Sequence, residues 1–209
     1  MSSEKFYDNY WGQRGQAKGM RLRYYVFLDW LAKGAKVLDI GGGDGQLAEI
    51  LQKSEDCQAT VLDISDKALQ IAQSRGLAAF KANLEEKLPF KDNEFSVAIL
   101  SEVLEHLAFS EQLLEEAIRV SSDYVLVSLP NTGYFKYRWQ LLCGHFPKQW
   151  LVSPREHLRF WTLADFKEMI KGLGLNIVKM KASAGRRYLR DLWPSLLAEQ
   201  ICFKLRKKQ

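Results

Sequence analysis

The stretch VLDIGGGDGQL, residues 37–47, constrains this chain more than any other part of its sequence. A short apolar run ends in Gly41, Gly42, Gly43 and Gly45, and Leu47, Ile50 and Leu51 then recur at helical spacing. That order reads as strand, tight turn and helix. Glycines at such a bend let the backbone approach a ligand without side-chain obstruction, while the helix start presents unpaired N–H groups. A dinucleotide fingerprint would need a glycine at position 46, where Gln46 stands, and no Lys-Ser/Thr pair follows as a phosphate-binding loop requires. A polar cofactor with ribose or carboxylate groups is the natural occupant of such a bend, and Asp39 at the strand end is placed to accept hydrogen bonds from it.

From Lys36 onward, short apolar runs alternate with amphipathic stretches, the pattern of β-α-β units and a mostly parallel sheet. Seven strands are expected: 36–40, 59–64, 78–82, 95–100, 124–129, 175–180 and 198–205. Leu113, Leu114, Ala117 and Ile118 mark one helix. Phe166, Met169, Ile170 and Leu173 mark another, opened by a Thr162–Asp165 capping box and closed at Gly174. A further helix is expected over about 17–31. The last two strands have only a loop between them and should pair antiparallel. The fold class is therefore α/β, a Rossmann-like doubly wound seven-stranded sheet, mostly parallel with an antiparallel last strand. A chain of 209 residues suits one domain, 1–209, with 130–161 as an insertion covering the substrate.

Composition narrows the class. At 47% hydrophobic and 26% charged residues the chain is an ordinary globular one, and it has neither a membrane-length apolar run nor a secretory-type first segment, so a cytoplasmic location is expected. The net charge of +5 invites a nucleic-acid reading. Yet from Lys179 onward nine basic residues face only Asp191 and Glu199, which leaves the remainder slightly acidic. A nucleic-acid partner is thereby disfavoured, and a small-molecule substrate expected. Cys57, Cys143 and Cys202 are odd in number and have no metal-ligand spacing, so each reads as a small buried hydrophobe.

A second acid, Asp63, ends the second strand where a carboxylate can grip both hydroxyls of a ribose. With VLDIGGGDG, then TVLDIS, KANLEEKLPFKDNEFSVAILSEVLEHL and VSLPN in order, the chain resembles the class I S-adenosylmethionine-dependent methyltransferases. SLPNTGYFKYRWQLLCGHFP makes it similar to the MetW-like and methyltransferase type 11 groups, although Gly42 stands where such proteins usually carry Cys and 148–161 is unlike theirs. The resemblance implies S-adenosyl-L-methionine as cofactor, with Asp39, Gly41 and Gly43 at its methionine part and turn, and Asp63 at the ribose. It also implies Ile64, Asn83, Leu84 and Ser101 as cofactor contacts, with Asn83 and Leu84 facing the adenine.

Methyl transfer from a sulfonium is an in-line displacement driven largely by positioning, and a general base helps only if the acceptor must lose a proton. The LSEVLEHL stretch lacks the D/N-PP-Y/F element of enzymes that methylate bases. Glu102, Glu105 and His106 form an ExxEH string resembling quinone-pathway O-methyltransferases in which such a trio holds a divalent ion, but the string also occurs without metal, and none is expected. His106 and His157 are the candidate catalytic residues. Tyr10, Asn131, Tyr134 and Arg138 are the candidate substrate residues, since Arg forks match carboxylates and rings supply apolar walls. Phe135, Trp139, Leu141 and Leu142 read instead as the buried face of an extra helix. The expected activity is methylation of a small anionic metabolite. The alternatives are an RNA or tRNA methyltransferase, or a non-catalytic partner of a biosynthetic enzyme.

Overall fold

The computed structural model describes residues 3–14, 16, 19–147, 149 and 156–208. In chain order the elements are α1 (Ser3–Arg14), α2 (Leu22–Trp30), β1 (Lys36–Ile40), α3 (Gln46–Glu55), β2 (Gln58–Asp63), α4 (Asp66–Ser74), β3 (Ala78–Lys81) and β4 (Phe95–Ser101). There follow a 3-10 turn (Leu104–His106), α5 (Ser110–Val120), β5 (Ser121–Pro130), α6 (Phe135–Leu142), α7 (Leu163–Gly172), β6 (Leu175–Gly185), α8 (Pro194–Leu197) and β7 (Ala198–Lys207). The expected early helix starts at Leu22; the first residues of its expected range include two outside the described residues.

The strands form one sheet in the order β3-β2-β1-β4-β5-β7-β6, with β7 antiparallel to both β5 and β6. Alternation along each strand splits the core between the two faces. Leu38, Ile40, Leu100 and Val125 pack with Leu113 and Leu114 of α5 and Phe166 and Ile170 of α7. Val37, Val97, Ile99 and Leu126 pack with Tyr24, Phe27 and Trp30 of α2 and Leu47 and Leu51 of α3. The Thr162–Asp165 box forms in both directions, fixing where α7 begins.

β1 leads through α3 to β2 on one side and lies against β4 on the other. At such a switch point the helices on either side diverge and open a crevice outside the carboxyl ends of the strands. Asn131, just beyond β5, braces the far rim: its Nδ2 donates to the carbonyl of Ala198 at 2.8 Å and to those of Pro194 and Ser195, while its Oδ1 accepts from the N–H groups of Gly133 and Leu163.

Two expectations about apolar side chains are corrected. Only Tyr137 of α6 is buried, whereas Trp139, Leu141 and Leu142 are exposed, because neighbouring elements cover one narrow side of the helix. Cys57 and Cys202 are buried as expected, but Cys143 at the end of α6 is exposed for the same reason.

Candidate active site

The crevice is a cavity of about 580 Å³ at the switch point. Gly41 (φ +68°) and Gly43 (φ +56°) hold the left-handed backbone that bends β1 into α3. A Cβ at Gly41 would lie 2.8 Å from Val103 Cγ2, and one at Gly43 would penetrate the Trp11 ring, so both positions are closed to larger residues. The Gly43 N–H donates to Asp63 Oδ2 and the Ser65 N–H to Oδ1, each at 2.9 Å. One carboxylate therefore fixes the glycine turn and the end of β2 while its residue lines the cavity. Burial raises the Asp63 pKa, and the backbone donors offset part of that rise.

Asp39 sits beneath the turn rather than on the cavity wall. It is 1% exposed, neither oxygen has a hydrogen-bond partner, and a Cβ on Gly42 would stand 2.7 Å from Oδ2. Burial, helped by Asp63, pushes its pKa up to about 7. Ile64, Asn83 and Leu84 line the adjoining wall, and the Asn83 amide donates to Glu86 Oε1 at 2.8 Å. Ser101 also faces the cavity, its hydroxyl accepting from Arg23 Nε at 2.8 Å.

Helix α1 covers this end. Ser65 Oγ donates to Asp8 Oδ1 at 2.6 Å, and Lys81 bridges Glu4 and Asp66 at 2.6 Å each. Tyr7, Tyr10 and Trp11 are thereby brought onto the cavity wall.

At the other end, Glu102 adopts φ +60°, uncommon for a residue with a side chain, and turns the chain out of β4. Its carboxylate accepts from Ser128 Oγ at 3.0 Å. Glu105 is fully buried with neither carboxylate oxygen hydrogen-bonded; burial and then Glu102 hold its pKa well above the usual range. Its backbone carbonyl accepts from the N–H groups of Leu158 (2.7 Å) and Arg159 (3.1 Å), which brings His157 to His106 with ring centroids 4.9 Å apart, edge to face. His106 Nδ1 lies 2.5 Å from the Glu156 carbonyl. Burial lowers the pKa of both imidazoles, that of His157 to about 4, so both are neutral at physiological pH. Ligand atoms of Glu105, His106 and His157 all lie within 4.8 Å of one another.

The cavity thus gathers Gly41, Gly43, Asp63, Ile64, Asn83, Leu84, Ser101, His106, His157 and Tyr10. Asn131, Tyr134 and Arg138 do not line it. Asn131 is spent on the brace, Tyr134 packs against Phe135 and Tyr137, and Arg138 Nε donates to the Gly133 carbonyl at 2.6 Å. The 130–161 segment reaches the cavity through Glu156, His157 and Leu158; residues 148 and 150–155 lie outside the described residues. Sequence reasoning missed Arg21 and Arg23 on the wall, and nothing in RLRYY distinguishes them from surface cations.

A cradle of glycine backbone beside a strand-ending carboxylate fits the amino acid and ribose parts of S-adenosylmethionine. This sheet order, with an antiparallel β7, is the α/β fold of the class I S-adenosylmethionine-dependent methyltransferases. Magnesium protoporphyrin IX methyltransferase (ChlM) from Synechocystis PCC 6803, solved with bound SAH, superposes with a TM-score of 0.71 at 14% identity over 98% of each chain. Within that superfamily the chain belongs to the MetW family: "Methionine biosynthesis protein MetW" matches residues 21–205. It is 26% identical over 192 residues to the bifunctional methionine biosynthesis protein MetXA/MetW of Rhodopirellula baltica, which covers 82% of this chain but only 30% of that protein. It is 32% identical over 197 residues to the ubiquinone/menaquinone biosynthesis C-methyltransferase UbiE of a Ruegeria species, covering 80% of this chain and 78% of that one. No helix of the described residues is long and apolar enough to cross a membrane.

Proposed function

We propose that the chain transfers a methyl group from S-adenosylmethionine to a small, anionic metabolite. The observation that carries the reading is a single cavity running from the glycine turn and Asp63 to His106 and His157. Its volume of about 580 Å³ falls in the range of about 300 to 1,000 Å³ for small-molecule sites. The bound cofactor supplies a methyl already activated on a sulfonium. Asp63 takes the ribose hydroxyls, Asn83 and Leu84 the adenine, and the glycine turn leaves room for the methionine end. Arg21 and Arg23 on the wall favour an acceptor with a carboxylate or other anionic group. The neutral imidazoles of His106 and His157 are candidates to accept its proton where it carries one.

S-adenosylhomocysteine should bind in calorimetry, and Asp63→Ala should weaken it by about 1.5–3 kcal/mol, the range for hydrogen bonds to charged groups. Absence of wild-type binding at millimolar ligand would sink the reading. Labelled-methyl transfer into a metabolite extract, with mass identification of the product, names the acceptor.

A non-catalytic role beside another biosynthetic enzyme is favoured by one observation, the exposure of Trp139, Leu141 and Leu142 on α6, in a chain related to a protein named MetXA/MetW. A stoichiometric enzyme partner on purification, with no turnover on any metabolite pool, would select it. The basic C-terminal region lends an RNA reading less support. Lys204 donates to the Trp30 carbonyl and lies over Tyr124, Arg190 donates to the Ser183 carbonyl, and Arg186 stacks on Phe135.

A further inference from the structure

We propose that Glu105, His106 and His157 form a binding site for a divalent transition-metal ion at the acceptor end of the cavity. Three observations carry it. The ligand atoms, one from each residue, lie within 4.8 Å of one another, and all three residues line the cavity. Four-coordinate ligand atoms at about 2.0–2.1 Å from an ion stand roughly 3.4 Å apart. Side-chain rotation closes the difference, since Glu105 Oε1 and Oε2 and His157 Nδ1 are tied by no hydrogen bond.

A fully buried carboxyl group with both oxygens unpartnered is itself anomalous, because buried polar groups are ordinarily hydrogen-bonded or bound to metal. A cation between Glu105 and the two imidazoles supplies the missing partner.

The surroundings are arranged as they are around metal-bound histidines. With a proton on Nδ1, His106 donates to the Glu156 carbonyl, which fixes the ring and leaves the Nε2 lone pair for an ion. His157 is held by the backbone on its C-terminal side: Leu158 and Arg159 N–H groups donate to the Glu105 carbonyl, and the Arg159 guanidinium donates to the Ala108 carbonyl. The backbone thus sets where the two histidines stand, and side-chain rotation supplies the remaining approach.

This is not the trio suggested by the ExxEH string. Glu102 is outside the group, its carboxylate occupied by Ser128, and His157 comes from 51 residues beyond His106. The other carboxylate cluster among the described residues, Glu4, Asp8 and Asp66, is already paired with Lys81 and Ser65. Two imidazoles and one carboxylate with open positions suit Mn²⁺, Fe²⁺, Co²⁺ or Zn²⁺ better than Mg²⁺ or Ca²⁺, which prefer oxygen. The cavity that all three residues line leaves room for further ligands. An acceptor bearing paired oxygens, such as a hydroxy acid or an enediol, would there be oriented and acidified by the ion. That use of the site rests on the proposed methyl transfer; the ion site itself does not.

The test is titration of chelator-treated full-length protein with Co²⁺ and Zn²⁺, followed by calorimetry and visible absorption, with S-adenosylhomocysteine binding measured on the same samples. Co²⁺ should bind saturably and give d–d bands of a four- or five-coordinate site. His157→Ala and Glu105→Gln should each weaken binding at least tenfold, with S-adenosylhomocysteine binding retained as the check on folding, and Glu102→Gln should change metal affinity far less than either, since it removes a neighbouring charge but no ligand. No saturable binding at millimolar metal, with S-adenosylhomocysteine still bound, overturns the ion site and leaves the methyl-donor reading intact. Metal binding without S-adenosylhomocysteine binding does the reverse. Equal losses for Glu102→Gln and His157→Ala would overturn the assigned ligand set.

Discussion

At the glycine turn the ligand-facing surface is largely backbone, whereas in the segment after β5 the polar side chains are consumed in holding the fold. Both regions are rich in residues that bind small molecules. In the first, Asp63 has two carboxylate oxygens, and each takes one backbone N–H while the residue still borders the cavity. In the second, the Asn131 amide spends both its ends on five backbone groups and does not line that cavity. A polar side chain is free for a ligand only to the extent that the backbone around it satisfies itself.

Asn131→Ala tests the second half of that contrast most severely. It strands buried carbonyls and N–H groups at the junction of β5, α7 and β7, and should cost about 3 kcal/mol in denaturant unfolding. Affinity for S-adenosylhomocysteine, measured where the variant is folded, should stay at the wild-type value; a selective loss of affinity would return Asn131 to the ligand.

The first half is sharpened by pH. Asp39 has a folded pKa near 7 against 3.8 for the free side chain, so between these values the native state holds the extra proton. Stability from this group therefore falls as pH rises from about 4 to 7, by at most about 1.4 kcal/mol per unit, and is flat above. His157, lowered to about 4 from 6.5, contributes with the opposite sign over much of that window. The contrast must thus be read from the variant: Asp39→Asn should gain stability relative to wild type as pH rises from 4 to 7. A constant difference across those pH values would show that Asp39 ionises freely beneath the turn.

The smallest effect is expected at Arg138. Its Nε donates to the Gly133 carbonyl near the surface, so Arg138→Ala should cost under about 1 kcal/mol of stability. It should leave both cofactor affinity and methyl transfer unchanged. A rise in acceptor KM alone would break the contrast by putting α6 at the substrate.

Elements whose pattern follows from local physics were legible in the sequence. β1 through β4 begin and end within a residue or so of the apolar runs, and the Thr162 box and the glycine turn are local devices that neighbouring residues specify. β5, β6 and β7 run longer than their apolar runs, because partner strands extend the ladder through polar residues. Asp63 was legible because the carboxyl ends of the parallel strands open on one rim, and Asn83 and Leu84 only through the family resemblance; all three line the cavity. Tyr7, Tyr10 and Trp11 were legible as an N-terminal cover, but the helix α1 that carries them was not, since its docking depends on Asp8 meeting Ser65 across 57 positions. Nor was the outward face of α6, because an aromatic and basic run reads alike whether a neighbour covers it or not. Glu105 and His106 were visible as a string, but the partner that completes their cluster, His157, is brought in by two backbone hydrogen bonds that no spacing announces.

The place of β7 has a bearing on synthesis. It follows β6 in sequence but lies between β5 and β6 in space. As the polypeptide leaves the ribosome, the β5 edge and the whole of β6 stay without their partner until residue 207 has emerged. Unpaired edges of that kind recruit other chains. The nascent protein is thus most exposed to misassociation just before β7 arrives, and a chain lacking residues 198–207 would leave the β5 edge and both edges of β6 unpaired, whereas the sheet with β7 in place exposes the outer edges of β3 and β6.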